Sequence, residues 1–295
     1  MSSARLADRL ATAMFWAGAG LVLAILALLL SYVLWHGVRV IDWHFLTSPP
    51  SNISAGGGIG PQIFNSFYLL CLTMMIDAPL GLLAGIYLAE YARENRVTGL
   101  IRLSIETLTS LPSIVVGLFG LLVFVNMTGW GYSLMAGALA LSLINLPLLV
   151  RIAEEALRGV PAELREASLA LGATRWETIW RVVLPSAFPG LVTGAIIACG
   201  RIFGEAAALL YTAGMSSPAL DFSNWYPLDP ASPLNPFRPA ETLAVHIWKV
   251  NAESLIPDVR RVADGAAAVL VLIVLFFNLA ARWLSRYIYR RLTAS

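Results

Sequence analysis

Long apolar runs separated by short polar segments dominate this chain. Each run is long enough to cross a bilayer, since about 20 apolar residues span the hydrocarbon layer. The third and fourth runs are separated only by a short glycine-containing segment, which predicts a hairpin of two spans. The pattern therefore predicts an all-α integral membrane protein with six transmembrane helices. The six runs cover residues 14–35, 64–89, 107–126, 132–151, 187–213 and 263–284.

The composition agrees with this pattern. Of the 295 residues, 58% are hydrophobic and 13% are charged, whereas soluble domains average about 45–50% apolar and about 25% charged residues. This balance excludes an ordinary soluble enzyme and a disordered chain. The first run is too long for the core of a signal peptide, so we expect it to be retained as a membrane span.

The positions of the basic residues predict how the chain is oriented. Fourteen lie in the segments on the same side as the N-terminus, and five lie in the segments on the opposite side. Because Lys and Arg are enriched in cytoplasmic loops, both termini are predicted to be cytoplasmic. The segment 153–190 then becomes an inner loop, and 214–262 becomes an outer loop in which repeated prolines disfavour helix in the first half. The net charge of +2 gives no reason to expect nucleic-acid binding.

Other chemistry is sparse. Lys249 is the only lysine, and Val250 rather than Ser or Thr follows it, so the sequence contains no P-loop. Cys71 and Cys199 lie inside apolar runs, which favours a packing role. The three histidines are scattered, so we expect neither a metal site nor a cofactor on this chain. No segment outside the spans is long enough for a catalytic domain, so we expect no enzyme activity.

The inner loop predicts two short helices joined by a turn. Pro161 suits the start of a helix, Gly172 suits its left-handed end, and Thr174 with Glu177 forms a capping-box pattern for a second helix that ends at Pro185. Such a hairpin could lie on the bilayer surface, or it could dock a cytoplasmic partner. The spacing alone leaves both alternatives open.

A resemblance favours docking. The loop has Glu166-Ala167-Ser168, then Gly172 after three residues, then Val182-Val183-Leu184-Pro185 after nine more. This resembles the EAA loop of ABC-transporter permeases, with Ser168 in place of the second Ala and Val182 in place of Ile. The resemblance implies a short helix inserted into a cleft of a separate ATP-hydrolysing subunit, which would bind the ATP and Mg. The coupling residues that it implies are Glu166, Ala167, Gly172, Leu184 and Pro185.

Two charged residues lie four positions apart in the fifth run. An ionisable group in the bilayer centre costs about 2.5–3.5 kcal/mol on insertion scales, so Arg201 and Glu205 are functional candidates. In one continuous helix they would share a face and could form a self-contained ion pair. Alternatively, Arg201 faces a polar pathway, where its planar guanidinium could bind an oxyanion with Glu205 as its competitor.

Two further polar residues belong to the predicted pathway set. Asp77 lies near the middle of the second run, just before Pro79. It could pair with Arg201, or it could be protonated and buried in a structural role, which we favour. Ser113 follows Pro112 in a segment that could be locally broken, and this makes it an additional pathway candidate.

A second resemblance concerns the substrate. Gly200 to Ala213 and Leu111 to Phe119 are similar to segments of phosphate-transporter permeases, with Ala206 where that family usually has Thr. The resemblance implies a MetI-like permease domain over residues 61–285. Residues 1–60 would add an N-terminal span and an outer loop, and 286–295 a cytoplasmic tail. The implied partners are a second permease chain, an ATP-binding subunit, an external phosphate-binding protein and inorganic phosphate. A permease for another oxyanion, such as sulfate or molybdate, and an ATP-independent secondary transporter stay open as alternatives.

Overall fold

The computed structural model describes residues 2–51, 54–253 and 256–293, and within these ranges the chain forms helices and no β-strand. Met1, residues 52–53 and 254–255, and the last two residues of the predicted tail lie outside the described part. The twelve α-helices in the described ranges are α1 (Ser2–Gly37), α2 (Trp43–Thr47), α3 (Gly60–Ile86), α4 (Arg96–Thr109), α5 (Ser113–Gly120), α6 (Leu134–Arg158), α7 (Ala162–Ala170), α8 (Arg175–Thr178), α9 (Leu184–Gly204), α10 (Ala207–Leu210), α11 (Leu243–Glu253) and α12 (Val259–Thr293).

The helices account for the predicted membrane spans. Among the residues that the structure describes, five stretches are long and apolar enough to cross a membrane, and a sixth arises if one bent pair of helices is counted as a single span. This confirms the all-α membrane architecture. The five stretches are Leu6–Val40, Gly60–Tyr91, Leu134–Arg158, Arg175–Gly204 and Val259–Tyr287.

The third predicted span, 107–126, is not one straight helix. α4 ends at Thr109, and a second helix begins at Ser113 and continues through a π-helical segment to Met127. The two are bent by 95°. The break has a local cause, because Pro112 has no N–H to donate and also disfavours a helical conformation at Leu111.

The fifth predicted span, 187–213, has different limits. The helix continues past Pro185 instead of ending there, because a wide π-helical turn at Ile179–Val183 joins α8 to α9. At its other end, α9 stops at Gly204, and Glu205 is extended with φ −75° and ψ 130°. The spans therefore match the prediction in number, but this one stops short of its predicted end.

The centre of the bundle is a parallel pair, α3 and α6. A Cβ atom built on Gly81 would lie 2.9 Å from Cβ of Leu149, and one built on Gly85 would lie still closer to Ala153. In both contacts the α6 residue follows the α3 residue by the same number of positions, so the two helices run in the same direction. α9 and α12 pack beside them and complete an apolar core that includes Leu69, Leu141, Ile202, Leu209 and Val269.

The two ends of the bundle differ. We call the end that carries α7 and α8 the hairpin end, and the end that carries residues 214–242 the loop end. The segment 214–242 is irregular, as its prolines predict, and it leads into α11. α1 reaches the bundle near Gly37, which lies against Asp264 and Ala268 of α12, while nearly all its described side chains are exposed.

Candidate anion and coupling sites

Arg201 lies in the last turn of α9 and is exposed, although the adjacent Ile202 and Phe203 are buried. α9 runs antiparallel to α6, since Gly190 lies against Ala156 and Gly194 against Ile152. Extending these contacts along α9 brings Arg201 level with the middle of α6. Within the described ranges no ion pair or hydrogen bond engages its guanidinium. Arg201 is thus a cation at the depth of the bundle centre, on a surface that this chain does not cover.

Glu205 is not paired with Arg201. Because α9 ends at Gly204, the two residues are not four apart on one helix, and the geometry required for an intrahelical pair is absent. Glu205 is half-buried, and its Oε1 accepts a hydrogen bond from the N–H of Ala208 at 3.4 Å. The two charges are therefore separate in this conformation.

Ser113 lies at the start of α5, just after the bend, and is half-buried. Gly117 of α5 contacts Ala208, and Gly120 contacts Thr212. These two contacts show that α5 packs along α10, and Ser113 lies one turn before Gly117. The bend thus places a hydroxyl at the end of α5 that precedes its contact with α10.

Asp77 lies in α3 with 0% exposure, and neither carboxylate oxygen has a hydrogen-bond partner. The expected alternative of an ion pair with Arg201 is not found among the described residues, because Arg201 faces outward. Asp77 instead faces α6.

The predicted coupling hairpin is formed by α7 and α8. Gly172 has φ +85°, the left-handed conformation that favours glycine at a helix end. Thr174 and Glu177 form the predicted capping box. Ser168, where the family pattern has Ala, shares a hydrogen bond of 2.9 Å with Thr178 and so joins the two helices. The hydroxyl variant of the motif therefore adds a contact inside the hairpin.

The remaining motif residues divide between the hairpin and α9. Glu166, Ala167 and Gly172 are exposed, and Leu171 at the tip is 90% exposed. Leu184 is half-buried at the start of α9, next to the exposed Pro185. The hairpin thus presents a mixed polar and apolar surface beyond the bundle.

Sequence reasoning did not single out the ion pair that attaches this hairpin. Nη2 of Arg165 lies 2.8 Å from Oε1 of Glu90, in the π-helical extension of α3, and 2.7 Å from the carbonyl oxygen of Leu157. Both charged side chains are mostly buried. The sequence gives one indication that Arg165 has a role in the hairpin, because this residue immediately precedes the motif residue Glu166.

A buried polar network at the loop end was also missed. Oε2 of Glu241 accepts a hydrogen bond of 3.0 Å from Gln62, and its Oε1 lies 3.1 Å from Nδ1 of His246. Burial would raise the pKa of the Glu241 carboxyl, but His246, Gln62 and Lys249 together lower it below its ordinary value. This network joins the segment before α11 to the first turn of α3.

Arg238 is the second charged group of this loop-end network. Its Nη2 donates to Asn65 Oδ1 at 2.7 Å and to the Pro233 carbonyl at 3.0 Å. Burial lowers the pKa of Arg238 to about 10. The local sequence gives no periodic signal for these contacts, because the partners come from distant segments of the chain.

The chain matches the family model "Binding-protein-dependent transport system inner membrane component" over residues 81–294. It is 57% identical over 291 residues to the probable ABC transporter permease protein YqgI of Bacillus subtilis strain 168, which covers 99% of each chain. It is also 38% identical over 239 residues to the phosphate transport system permease protein PstA of Xylella fastidiosa strain 9a5c, covering 81% of this chain and 77% of that one.

Solved structures agree on the fold. A chain of a bacterial alginate ABC transporter superposes with a TM-score of 0.63 at 19% identity, covering 94% of this chain and 96% of that one. A chain of the MetNI methionine ABC transporter superposes with a TM-score of 0.55 at 20% identity, covering 86% and 96%. The fold is that of an ABC-importer permease. The chain belongs to the family of binding-protein-dependent transport system inner membrane components.

Proposed function

We propose that this chain is one of two permease subunits of an ABC importer for inorganic phosphate, and that Arg201 binds the anion during its passage. The observation that carries this proposal is the unpaired guanidinium of Arg201 at the depth of the bundle centre. Such a charge needs a protein partner or a polar pathway, because lipid cannot solvate it. A second permease chain across this surface supplies the other wall of the pathway.

The chemistry of Arg201 suits a tetrahedral oxyanion. A guanidinium is planar, stays charged, and offers two parallel N–H groups to two oxygens of a phosphate. Glu205 is free to approach Arg201 when the segment after α9 moves, and its carboxylate then competes with the anion. That competition keeps binding weak enough for release. The PstA relatives support phosphate as the substrate.

Energy is supplied by a partner. This chain has no P-loop, so ATP and Mg are bound by a separate ATPase subunit that docks on the α7–α8 hairpin through Glu166 and Gly172. The hairpin end is then cytoplasmic, as are both termini, and the loop end faces an external phosphate-binding protein. The contact of Arg165 with Glu90 transmits movement of the hairpin to α3.

Uptake of labelled phosphate tests the proposal. Cells lacking their own high-affinity phosphate importer would express this chain together with its partner permease, ATPase and binding protein, with excess sulfate or molybdate as competitor. We expect uptake that requires both this chain and the ATPase and that resists both competitors.

Each contrary result has a defined meaning. Suppression by sulfate or molybdate would assign the pathway to another oxyanion. Uptake that persists without the ATPase would indicate a secondary transporter. A failure to take up phosphate despite confirmed assembly would overturn phosphate as the substrate while leaving the permease fold untouched.

A further inference from the structure

A cluster of buried polar side chains lies between α3 and α6, apart from the exposed Arg201. Asp77 is 0% exposed, Asn145 is 1% exposed and Ser142 is 7% exposed. Both carboxylate oxygens of Asp77, Oδ1 of Asn145 and the hydroxyl of Ser142 are buried without a hydrogen-bond partner. Unpartnered buried polar atoms each cost about 1–3 kcal/mol, so this arrangement requires an explanation.

The register of the two helices brings these side chains to one level. Gly81 contacts Leu149, Gly85 contacts Ala153, and Gly137 contacts Leu69. Every one of these contacts joins residues with the same offset along the chain. The same offset aligns Asp77 with Asn145, and Ser142 lies one turn earlier on α6.

The sequence repeats at this level. Residues 76–80 read Ile-Asp-Ala-Pro-Leu and residues 144–148 read Ile-Asn-Leu-Pro-Leu, with the acid of α3 aligned with the amide of α6. The Ser142 hydroxyl faces the Asp77 carboxyl but does not reach hydrogen-bonding geometry. Nδ2 of Asn145 already donates to the Leu141 carbonyl at 3.0 Å, so its Oδ1 is directed away from that carbonyl.

With Asp77 ionised, the cluster holds more acceptor atoms than donors. Asp77 brings two acceptor oxygens and Asn145 Oδ1 adds a third, whereas the donors left are the Ser142 O–H and the second N–H of Asn145 Nδ2, since the first donates to Leu141. One additional proton on Asp77 supplies the donor that is missing. The carboxylic acid O–H then donates to Asn145, and the Ser142 O–H donates to the remaining Asp77 oxygen.

We propose that Asp77, Asn145 and Ser142 form a proton-binding site in the middle of the membrane, with the bound proton shared between Asp77 and Asn145. The proton cross-links α3 to α6 without placing a charge between them. Along these two helices the nearest charged residues are Glu90 and Arg151, both towards the hairpin end. On the neighbouring α9, Arg201 is at a similar depth but faces outward.

Infrared spectroscopy of the assembled transporter in lipid tests this site. With ¹³C-labelled aspartate, we expect a carboxylic-acid C=O band at neutral pH that disappears in Asp77→Asn. Thr73→Ala is the matched control, since Thr73 is also fully buried in α3 but donates to the Leu69 carbonyl, and it should leave the band in place.

A second variant covers the case in which Asp77→Asn does not assemble. Ser142→Ala removes the donor to the Asp77 C=O oxygen, so the band should shift to higher frequency. Absence of a labelled acid band in the wild-type transporter, or a band that Ser142→Ala leaves unshifted, would overturn the proposal. An ionised Asp77 would then take its donors from a rotated Asn145 amide. Neither readout involves the substrate, so the outcome is independent of whether phosphate is transported.

Discussion

Two arginines in this chain occupy opposite environments. Arg201, at the end of α9, is exposed and has no polar partner in the described ranges. Arg238, at the loop end, is 2% exposed, and its three guanidinium nitrogens donate to Asn65 and to the carbonyls of Pro233 and Pro239. Both residues are arginines in an apolar chain, but of the two only Arg238 forms hydrogen bonds to the described residues of that chain.

The difference separates structural from functional charge. A buried guanidinium in which every nitrogen donates within the chain holds segments together and is not available to a ligand. A guanidinium without partners at membrane depth costs free energy in the isolated chain. A second protein chain, or a polar pathway that holds water or an anion, has to offset that cost. We therefore expect substitutions of Arg238 to change stability, and substitutions of Arg201 to change transport.

Arg201→Gln should abolish phosphate uptake, the largest effect expected. It removes a bidentate contact whose charge-assisted hydrogen bonds contribute about 1.5–3 kcal/mol each. Arg201→Lys keeps the charge but loses the planar fork, so it should retain a small fraction of uptake. Uptake is measured beside co-purification of the ATPase, which should be unchanged. Normal uptake by Arg201→Gln would remove this residue from the mechanism.

Arg201 also marks the limit of what the sequence predicts. Its position in an apolar run identifies it as a candidate without a structure. Its pairing with Glu205 depends on where α9 ends, and the apolar pattern continues smoothly through Gly204. Hydrophobicity predicts which residues enter the membrane, but it carries no information about a helix end within the apolar segment.

Arg238→Met should lower the free energy of unfolding by several kcal/mol. It leaves the acceptors of Asn65 and Pro233 without donors, at about 1–3 kcal/mol each. Thermal unfolding of the purified assembly measures the loss. Arg39→Met is the matched control, since Arg39 is exposed and lies 4.5 Å over the Trp35 ring. Equal losses in both variants would contradict a structural role specific to Arg238.

A third arginine, Arg165, is paired within the chain and yet belongs to the coupling hairpin. Glu90→Gln should reduce the phosphate imported per ATP hydrolysed by a few-fold, since it weakens the 2.8 Å contact that ties the hairpin to α3. Exchanging the two charges, with Glu90→Arg and Arg165→Glu together, should restore part of the coupling. Arg151→Gln serves as the control, because its pair with Glu155 is exposed.

The sequence predicts the α7–α8 hairpin more completely than it predicts the surroundings of Arg201. Its helix starts, its left-handed Gly172 and its capping box depend on residues within a few positions of one another. The pair of Arg165 with Glu90 joins residues far apart in the chain, as do the contacts of Glu241 with Gln62 and of Arg238 with Asn65. Contacts of this kind depend on tertiary packing, so no local pattern could have identified them.

Acidification should loosen the loop end, the smallest effect expected. The folded state lowers the pKa of Glu241, so its contribution to stability is present above the unfolded value of about 4.3 and is lost as the pH falls through the folded value. Hydrogen exchange of residues 233–242 should therefore accelerate below about pH 4, where the network releases the segment before α11.

The controls for this measurement separate Glu241 from general acid effects. Glu241→Gln should exchange faster at neutral pH and respond less to acid, because the titrating carboxyl is gone. Glu253→Gln removes an exposed acid near the end of α11 and should behave like the wild type. If Glu241→Gln retains the full acid response, the sensitivity of the loop end arises elsewhere. Arg238 would then be the charged residue that supports a structural role for the loop-end network. Its acceptors, Asn65 and the carbonyls of Pro233 and Pro239, are neutral and do not titrate in acid.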